Sequence, residues 1–348
     1  MIASLPNGHD GDSIAISLGG IQFGVFPPLN GRPFPFPTTE SIAPMLDVMQ
    51  KHGHHKLDTA RIYGGGFSEK LLGELDFKAR GFEVGTKLYP TKSRPLGPQN
   101  VPYDHSPEDL RAGLNASLEA LRSEYVDTFY LYAPDPSVPY EVTLKAIDKL
   151  YKQGQFKRWG LCRFPAWEVA VIQELCIKNN WVRPSVYQPI YNAIVRYIEV
   201  ELVPCLRHYG MSIEAAQPTA SGLLTSRYTR DMADGDHPAG RRFDPGHFIG
   251  KHNRARYWHD AYFDALEIIR KAAKQHDLTE LECGLRWLKH HSALKASAGD
   301  SIIVCASDPN QLDECLSDLE KEPLPEDVVN AMDEAWKKAR REPYVYHD

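Results

Sequence analysis

Eight short runs of apolar and β-branched residues recur along the chain, most followed by an amphipathic stretch of ten or more residues. The runs are Ser13–Leu18, His55–Thr59, Phe82–Leu88, Val126–Ala133, Trp159–Leu161, Val186–Gln188, Ser212–Ala215 and Ser301–Cys305. Runs of this kind suit strands covered on both faces, which need no polar alternation. The intervening stretches read as helices. Ser106-Pro107-Glu108-Asp109 offers an N-cap, a first-turn proline and early acids, and Leu110, Leu114, Leu118 and Leu121 then recur at helical spacing. Glu141–Gln153, Trp167–Lys178, Phe263–Lys274, Glu280–His290 and Asn310–Leu319 repeat the theme. Eight strands alternating with helices predict an α/β fold, a (β/α)8 TIM barrel forming a single domain over residues 1–348. An open doubly wound sheet also alternates, but no G-x-G-x-x-G follows the first run. Gly64-Gly65-Gly66 follows the second and reads as a flexible turn. Two irregular stretches, Pro27–Pro37 and Tyr228–Arg256, read as long loops after the first and seventh strands.

Composition excludes several classes. With 40 basic against 46 acidic residues the formal charge is −6, which gives no footprint for nucleic acid. The basic run Lys337, Lys338, Arg340, Arg341 lies in a helix-like segment and reads as a solvated face. An apolar content of 42% argues against bulk disorder. No apolar run approaches the ~18 residues of a membrane helix, and the first residues lack the pattern of a signal peptide. The six cysteines are scattered without C-x-x-C, which suits reduced thiols in a cytoplasmic protein. The pairs His54-His55 and His290-His291 lack partners at metal spacing, so no metal site is expected.

Chemistry in a barrel of this kind sits where strands end at the C-terminal face. Asp58 and Tyr63 follow the second strand, Lys87 lies on the third, and Tyr132 ends the fourth. Cys162-Arg163, Gln188, Ala216-Gln217 and Ser307-Asp308 end later strands. A phenol is a poor acid at neutral pH, and a nearby ammonium favours its ionised form. An aspartate fixes that ammonium. A Tyr–Lys–Asp set is therefore suited to handing a proton to an oxygen or taking one away. A buried ion pair beside a packed tyrosine is the structural alternative.

Leu57-Asp58-Thr59-Ala60, Tyr63-Gly64, Ser68-Glu69, Leu72-Gly73 and Gly85-Thr86-Lys87 together resemble the aldo-keto reductase signature, and the chain is most similar to the aflatoxin-aldehyde-reductase-like branch. Leu131 to Asp135, Trp167-Glu168-Val169, Tyr187 to Asn192, Gly222-Leu223-Leu224-Thr225, Arg256-Tyr257-Trp258, Leu285-Arg286-Trp287 and Ala335-Trp336 extend the likeness over nearly the whole chain. The resemblance implies hydride transfer from a nicotinamide cofactor, usually NADPH, to an aldehyde or ketone. It implies Tyr63 as general acid, Lys87 lowering its pKa, and Asp58 paired with Lys87. Gln188 would contact the nicotinamide carboxamide. The turn from Ser221 to Arg227, with Leu223, would lie along the pyrophosphate. Arg241 or Arg242, with Ser307, Asp308 and Gln311, would surround the adenosine phosphate. A biosynthetic role fits such an enzyme, and relatives of this kind are often homodimers.

Several positions depart from that pattern. Tyr132 stands where the family has a catalytic histidine. Either it replaces the imidazole as hydrogen-bond donor, or it reshapes the pocket for another reaction. Cys162-Arg163 replaces a Ser-Asn pair at the carboxamide, and Arg163 suits an acidic substrate or a compensating charge. Ala216 stands for a stacking tyrosine, Gly20 for a frequent threonine, and Cys315 for an asparagine. Asp308 replaces a serine near the 2′-phosphate, where a carboxylate would repel phosphate and favour NADH. Three readings follow: an NADPH-dependent carbonyl reductase; a non-redox dehydratase, isomerase or cyclase that uses no cofactor; or a non-catalytic binding protein.

Overall fold

In the computed structural model, residues 13–24, 36–95, 101–233, 242–246 and 248–347 are described. Eight parallel strands close into a barrel in sequence order: β1 (Ala15–Gly19), β2 (Lys56–Asp58), β3 (Glu83–Leu88), β4 (Val126–Leu131), β5 (Phe156–Cys162), β6 (Val186–Gln188), β7 (Ser212–Ala215) and β8 (Ser301–Val304). Ile16 pairs with Ile302 to seal the last seam. The described helices are α1 (Thr39–Lys51), α2 (Phe67–Glu74), α3 (Pro107–Ala120), α4 (Tyr140–Lys152), α5 (Ala166–Asn179), α6 (Leu202–His208), α7 (Phe248–Tyr257), α8 (Asp260–Gln275), α9 (Glu280–His290), α10 (Pro309–Glu320) and α11 (Glu326–Ala339). The structure is a single-domain (β/α)8 barrel, as expected from the alternation.

Local chemistry explains the boundaries. The side chain of Ser106 caps α3 through the Asp109 amide, with Pro107 at the first helical position. Thr279 caps α9 through Glu282, and Asp308 caps α10 through Gln311. Every residue of β4 is buried, as a strand walled by the barrel interior and by helices must be. Two sequence expectations need correction. The fifth strand begins at Phe156, earlier than Trp159, because Lys157 and Arg158 break the apolar run while pairing with Asp127 and Thr128 of the adjacent strand. Residues 228–256 are not all loop: α7 begins at Phe248 and runs one residue past their end, its polar sequence hiding the helical period. Arg241 and most of 27–37 lie outside the described residues. No helix among the described residues is long and apolar enough to cross a membrane.

Candidate active site

The C-terminal ends of β2, β3 and β4 bring together Asp58, Tyr63, Lys87 and Tyr132. Tyr63 opens a tight turn just past β2, its amide bonded to the Ala60 carbonyl at 2.9 Å. Gly64, Gly65 and Gly66 follow with φ of 58°, 65° and 96°. A Cβ on Gly64 would come within 2.8 Å of the Phe23 carbonyl. The triple glycine is thus a left-handed turn that fixes Tyr63, a role that needs residues without side chains. The Ser68-Glu69 pair of the signature is scaffolding. Glu69 is fully buried and accepts from Thr86 at 2.5 Å and Arg61 at 2.5 Å, while Ser68 reaches the Gly20 carbonyl at 2.9 Å. A Cβ on Gly20 would meet the Ser68 hydroxyl at 2.9 Å.

The Tyr63 and Tyr132 hydroxyls are 3.0 Å apart and their rings cross edge to face. Tyr89 meets the Tyr132 ring edge to face with centroids 5.5 Å apart. Lys87 is fully buried. Its ammonium donates to the Asp58 carboxylate and, at 2.9 Å, to the Thr59 carbonyl, and lies 5.4 Å from the Tyr63 ring centre. Burial is the largest influence on this lysine and would depress it, but the charge and hydrogen bond of Asp58 together with Tyr132 and Glu214 outweigh it, and Lys87 stays protonated. Asp58 is pushed up to about 6 by burial, opposed by Lys87 and reinforced by the Glu214 charge. Tyr63 is held well above the usual phenol range, first by burial and then by Tyr132 and Asp58. In the free protein, desolvation of the phenolate dominates, so the nearby Lys87 ammonium does not bring Tyr63 below the usual phenol range. Tyr63 is protonated at neutral pH, the state a proton donor requires.

Around this centre the remaining positions divide. Cys162 is buried, and burial pushes its thiol up to about 11, so it is a neutral group. Arg163 adopts φ 62° at the end of β5 and sets its guanidinium 5.5 Å from the Tyr132 ring centre. The Gln188 amide nitrogen donates inward to Asp58 at 2.9 Å and Glu214 at 3.0 Å. Its carbonyl oxygen is the part left for an external donor. After β7, Gln217, Ala220, Ser221 and Gly222 all have positive φ. The Gln217 carbonyl oxygen of the side chain accepts from Tyr257 at 2.7 Å and Ser221 at 3.3 Å. Leu223 is fully buried in the core, so only its backbone faces the turn, and Arg227 is exposed. Asp308 spends its carboxylate on the Gln311 amide at 3.0 Å, and the Gln311 side chain accepts from the Ser307 hydroxyl at 2.7 Å. Arg242 lies on the same side, its charge felt at Cys305. Cys315 is buried in α10.

Sequence reasoning passed over Glu214, Tyr130 and Tyr89. An acid inside the apolar run Ser-Ile-Glu-Ala was the available signal for Glu214.

A closed eight-stranded barrel with an Asp–Lys–Tyr cluster at its C-terminal mouth defines a class of enzyme, and residues 15–337 match the aldo/keto reductase family. The chain belongs to the aldo/keto reductase family and is an oxidoreductase. It is 51% identical over 303 residues to the aldo-keto reductase pigE of Monascus ruber, covering 87% of this chain and 89% of that one. It is 38% identical over 312 residues to human aldo-keto reductase family 7 member A3, covering 88% and 91%. Mouse aflatoxin B1 aldehyde reductase member 2 is 39% identical over 296 residues, covering 84% and 79%. The glycerol dehydrogenase AKR11B4 of Gluconobacter oxydans shares the fold, with a TM-score of 0.72 at 20% identity over 97% of this chain and 98% of that one.

Proposed function

We propose that the protein reduces an aldehyde or ketone group of a small molecule with NADPH, and that Tyr63 is the general acid. The observation that carries this reading is the Tyr63–Tyr132 hydroxyl pair, 3.0 Å apart above the buried Lys87–Asp58 pair. A carbonyl oxygen placed against both phenols receives two O–H donors. Tyr63 supplies the proton, and Tyr132 donates a hydrogen bond to the oxygen as negative charge builds there, the part an imidazole plays in the family pattern. Lys87 stabilises the phenolate left behind, and Asp58 holds Lys87 in place.

The residues present fit a nicotinamide dinucleotide. Gln188 offers a carbonyl oxygen to a carboxamide, beside Cys162 and Arg163. A Cβ on Gly222 would meet nothing within 4 Å, so the turn through Ser221, Leu223 and Arg227 leaves open ground beside its backbone for a pyrophosphate. Arg242, Ser307 and Gln311 would flank an adenosine phosphate, with Arg241 adjacent in sequence. When bound, the cofactor supplies the hydride.

The test is a titration with NADPH, NADH and NADP+ followed by a carbonyl panel with wild type and Tyr63→Phe. Micromolar NADPH binding with turnover that Tyr63→Phe abolishes is expected. Undiminished reduction by that variant would remove Tyr63 from its role. The hydroxyl pair also supports a second reading, proton transfer without hydride. Conversion of a carbonyl compound with no cofactor present would favour it, and an absolute NADPH requirement would exclude it.

A further inference from the structure

Beneath the phenols lies a second buried carboxylate that the proposed chemistry does not use. Glu214 projects from β7 into the barrel and is only 6% exposed. One carboxylate oxygen accepts from the Ser17 hydroxyl on β1 at 3.1 Å and the Ser301 hydroxyl on β8 at 3.4 Å. The other accepts from the Tyr130 hydroxyl on β4 at 2.6 Å and the Gln188 amide on β6 at 3.0 Å. The same Gln188 nitrogen donates to Asp58, which accepts from Lys87. One hydrogen-bonded layer therefore joins seven strands and ends at the Lys87 ammonium. Gly160 makes room for it, since a Cβ there would meet Tyr130 at 2.7 Å.

We infer that Glu214 is a positioning residue that acts through Gln188, fixing which face of that amide meets the mouth and setting the charge balance of the Asp58–Lys87 pair. Two physical arguments lead there. A primary amide has two N–H bonds and one acceptor oxygen, and carboxylates take both N–H bonds. The amide is thereby locked with its oxygen outward, because turning it over would set that oxygen against two carboxylates. Four donors also stabilise the Glu214 anion, which sits below the usual range although burial opposes this. Its charge then resists ionisation of Asp58 nearby. The other charged or titratable groups facing Asp58 are Lys87 on β3, Tyr63 past β2, Tyr130 on β4, Cys162 on β5 and Cys305 past β8. Arg158 on β5 and Lys56 on β2 face Glu214.

The amide half of this inference rests on the nicotinamide reading, and the charge half does not, so the test has two arms on the full-length protein. In the first, NADPH dissociation constants are measured by tryptophan quenching for wild type, Glu214→Leu, Gln188→Leu and the double variant. Glu214→Leu removes the acceptor that holds the amide. It is expected to weaken NADPH about tenfold, and to add less than about threefold when Gln188 is already leucine. Independent, multiplicative losses would overturn the positioning role. Wild type that binds no nicotinamide dinucleotide would instead sink the cofactor reading and the amide half that rests on it.

The second arm uses thermal unfolding of the unliganded protein against pH. Glu214→Gln can keep the layer, since its oxygen can accept from Tyr130 and Gln188 while its amide donates to the serine hydroxyls, but it loses the charge. The Asp58-dependent step, read as the difference between Asp58-containing and Asp58→Asn proteins, is expected to move to lower pH by about half a unit or more. An unmoved step would overturn the charge role. Should Glu214→Leu not fold, this near-isosteric variant still decides that half, and because it keeps the acceptor for Gln188 it is expected to hold NADPH affinity within about threefold of wild type, a loss of about tenfold overturning the amide half.

Discussion

The Tyr63 hydroxyl meets the Tyr132 hydroxyl at 3.0 Å, so the tyrosine that follows β4 touches the proposed acid directly. A phenol in that place stays protonated through neutrality, because burial raises Tyr132 despite the opposing Arg163 charge. Removal of a well-placed oxyanion donor costs roughly 10²–10³ in rate. Tyr132→Phe is expected to lower kcat by that order with NADPH affinity little changed. Tyr132→His is expected to introduce an ionisation between about pH 5 and 8 that wild type lacks at this position. Steady-state pH profiles of the three proteins check this, and a wild-type rate matched by Tyr132→Phe would refute it.

Asp58 predicts a pH dependence of stability. Its folded-state value of about 6 lies above that of an unfolded aspartate, so the folded protein binds more protons between these values. Stability from this group is complete at low pH and is lost as pH rises through about 6. Asp58→Asn lacks the titration. Its melting temperature relative to wild type is expected to rise by a few degrees between about pH 4 and pH 7, a change on the order of 2 kcal/mol. Differential scanning calorimetry across that range would show the opposite slope if Asp58 were held ionised.

Asp308 has two separable effects. Its carboxylate caps α10, so Asp308→Ala is expected to cost about 0.5–2 kcal/mol of stability. Asp308→Ser keeps a capping oxygen and removes the charge. It is expected to raise the NADPH-to-NADH affinity ratio several-fold with a melting temperature near wild type. An unchanged ratio by calorimetric titration would show that the carboxylate does not face the adenosine phosphate.

Gly160 leaves space that two neighbours fill. A Cβ there would approach both a Val186 methyl and the Val186 carbonyl at 2.6 Å. Backbone cannot yield as a flexible side chain does, so Gly160→Ala is expected to destabilise by about 1–3 kcal/mol or more. Chemical denaturation measures this, and a neutral outcome would mean that β5 and β6 can separate locally.

The barrel was legible because its strands are doubly buried and announce themselves as apolar runs. Val186–Gln188 and Ser212–Ala215 fall where those runs fall. The start of β5 was hidden by Lys157 and Arg158, whose partners sit on a strand thirty residues earlier, and α7 by the polar character of its visible face. Asp58, Tyr63, Lys87 and Tyr132 could be read from strand ends. That Tyr63 sits above the phenol range could not, since residue types give the nearby ammonium but not the depth of burial that outweighs it.

The sequence by itself determined the alternation, the barrel and the residues at its mouth, because periodicity and strand ends are local properties. Only tertiary structure decided how those residues are coupled. Gln188 faces inward because Asp58 and Glu214, 130 and 26 residues away along the chain, converge on its amide. Closure of the strands in a ring brings such distant polar groups into one desolvated layer, and there an unpartnered donor or acceptor is too costly to leave.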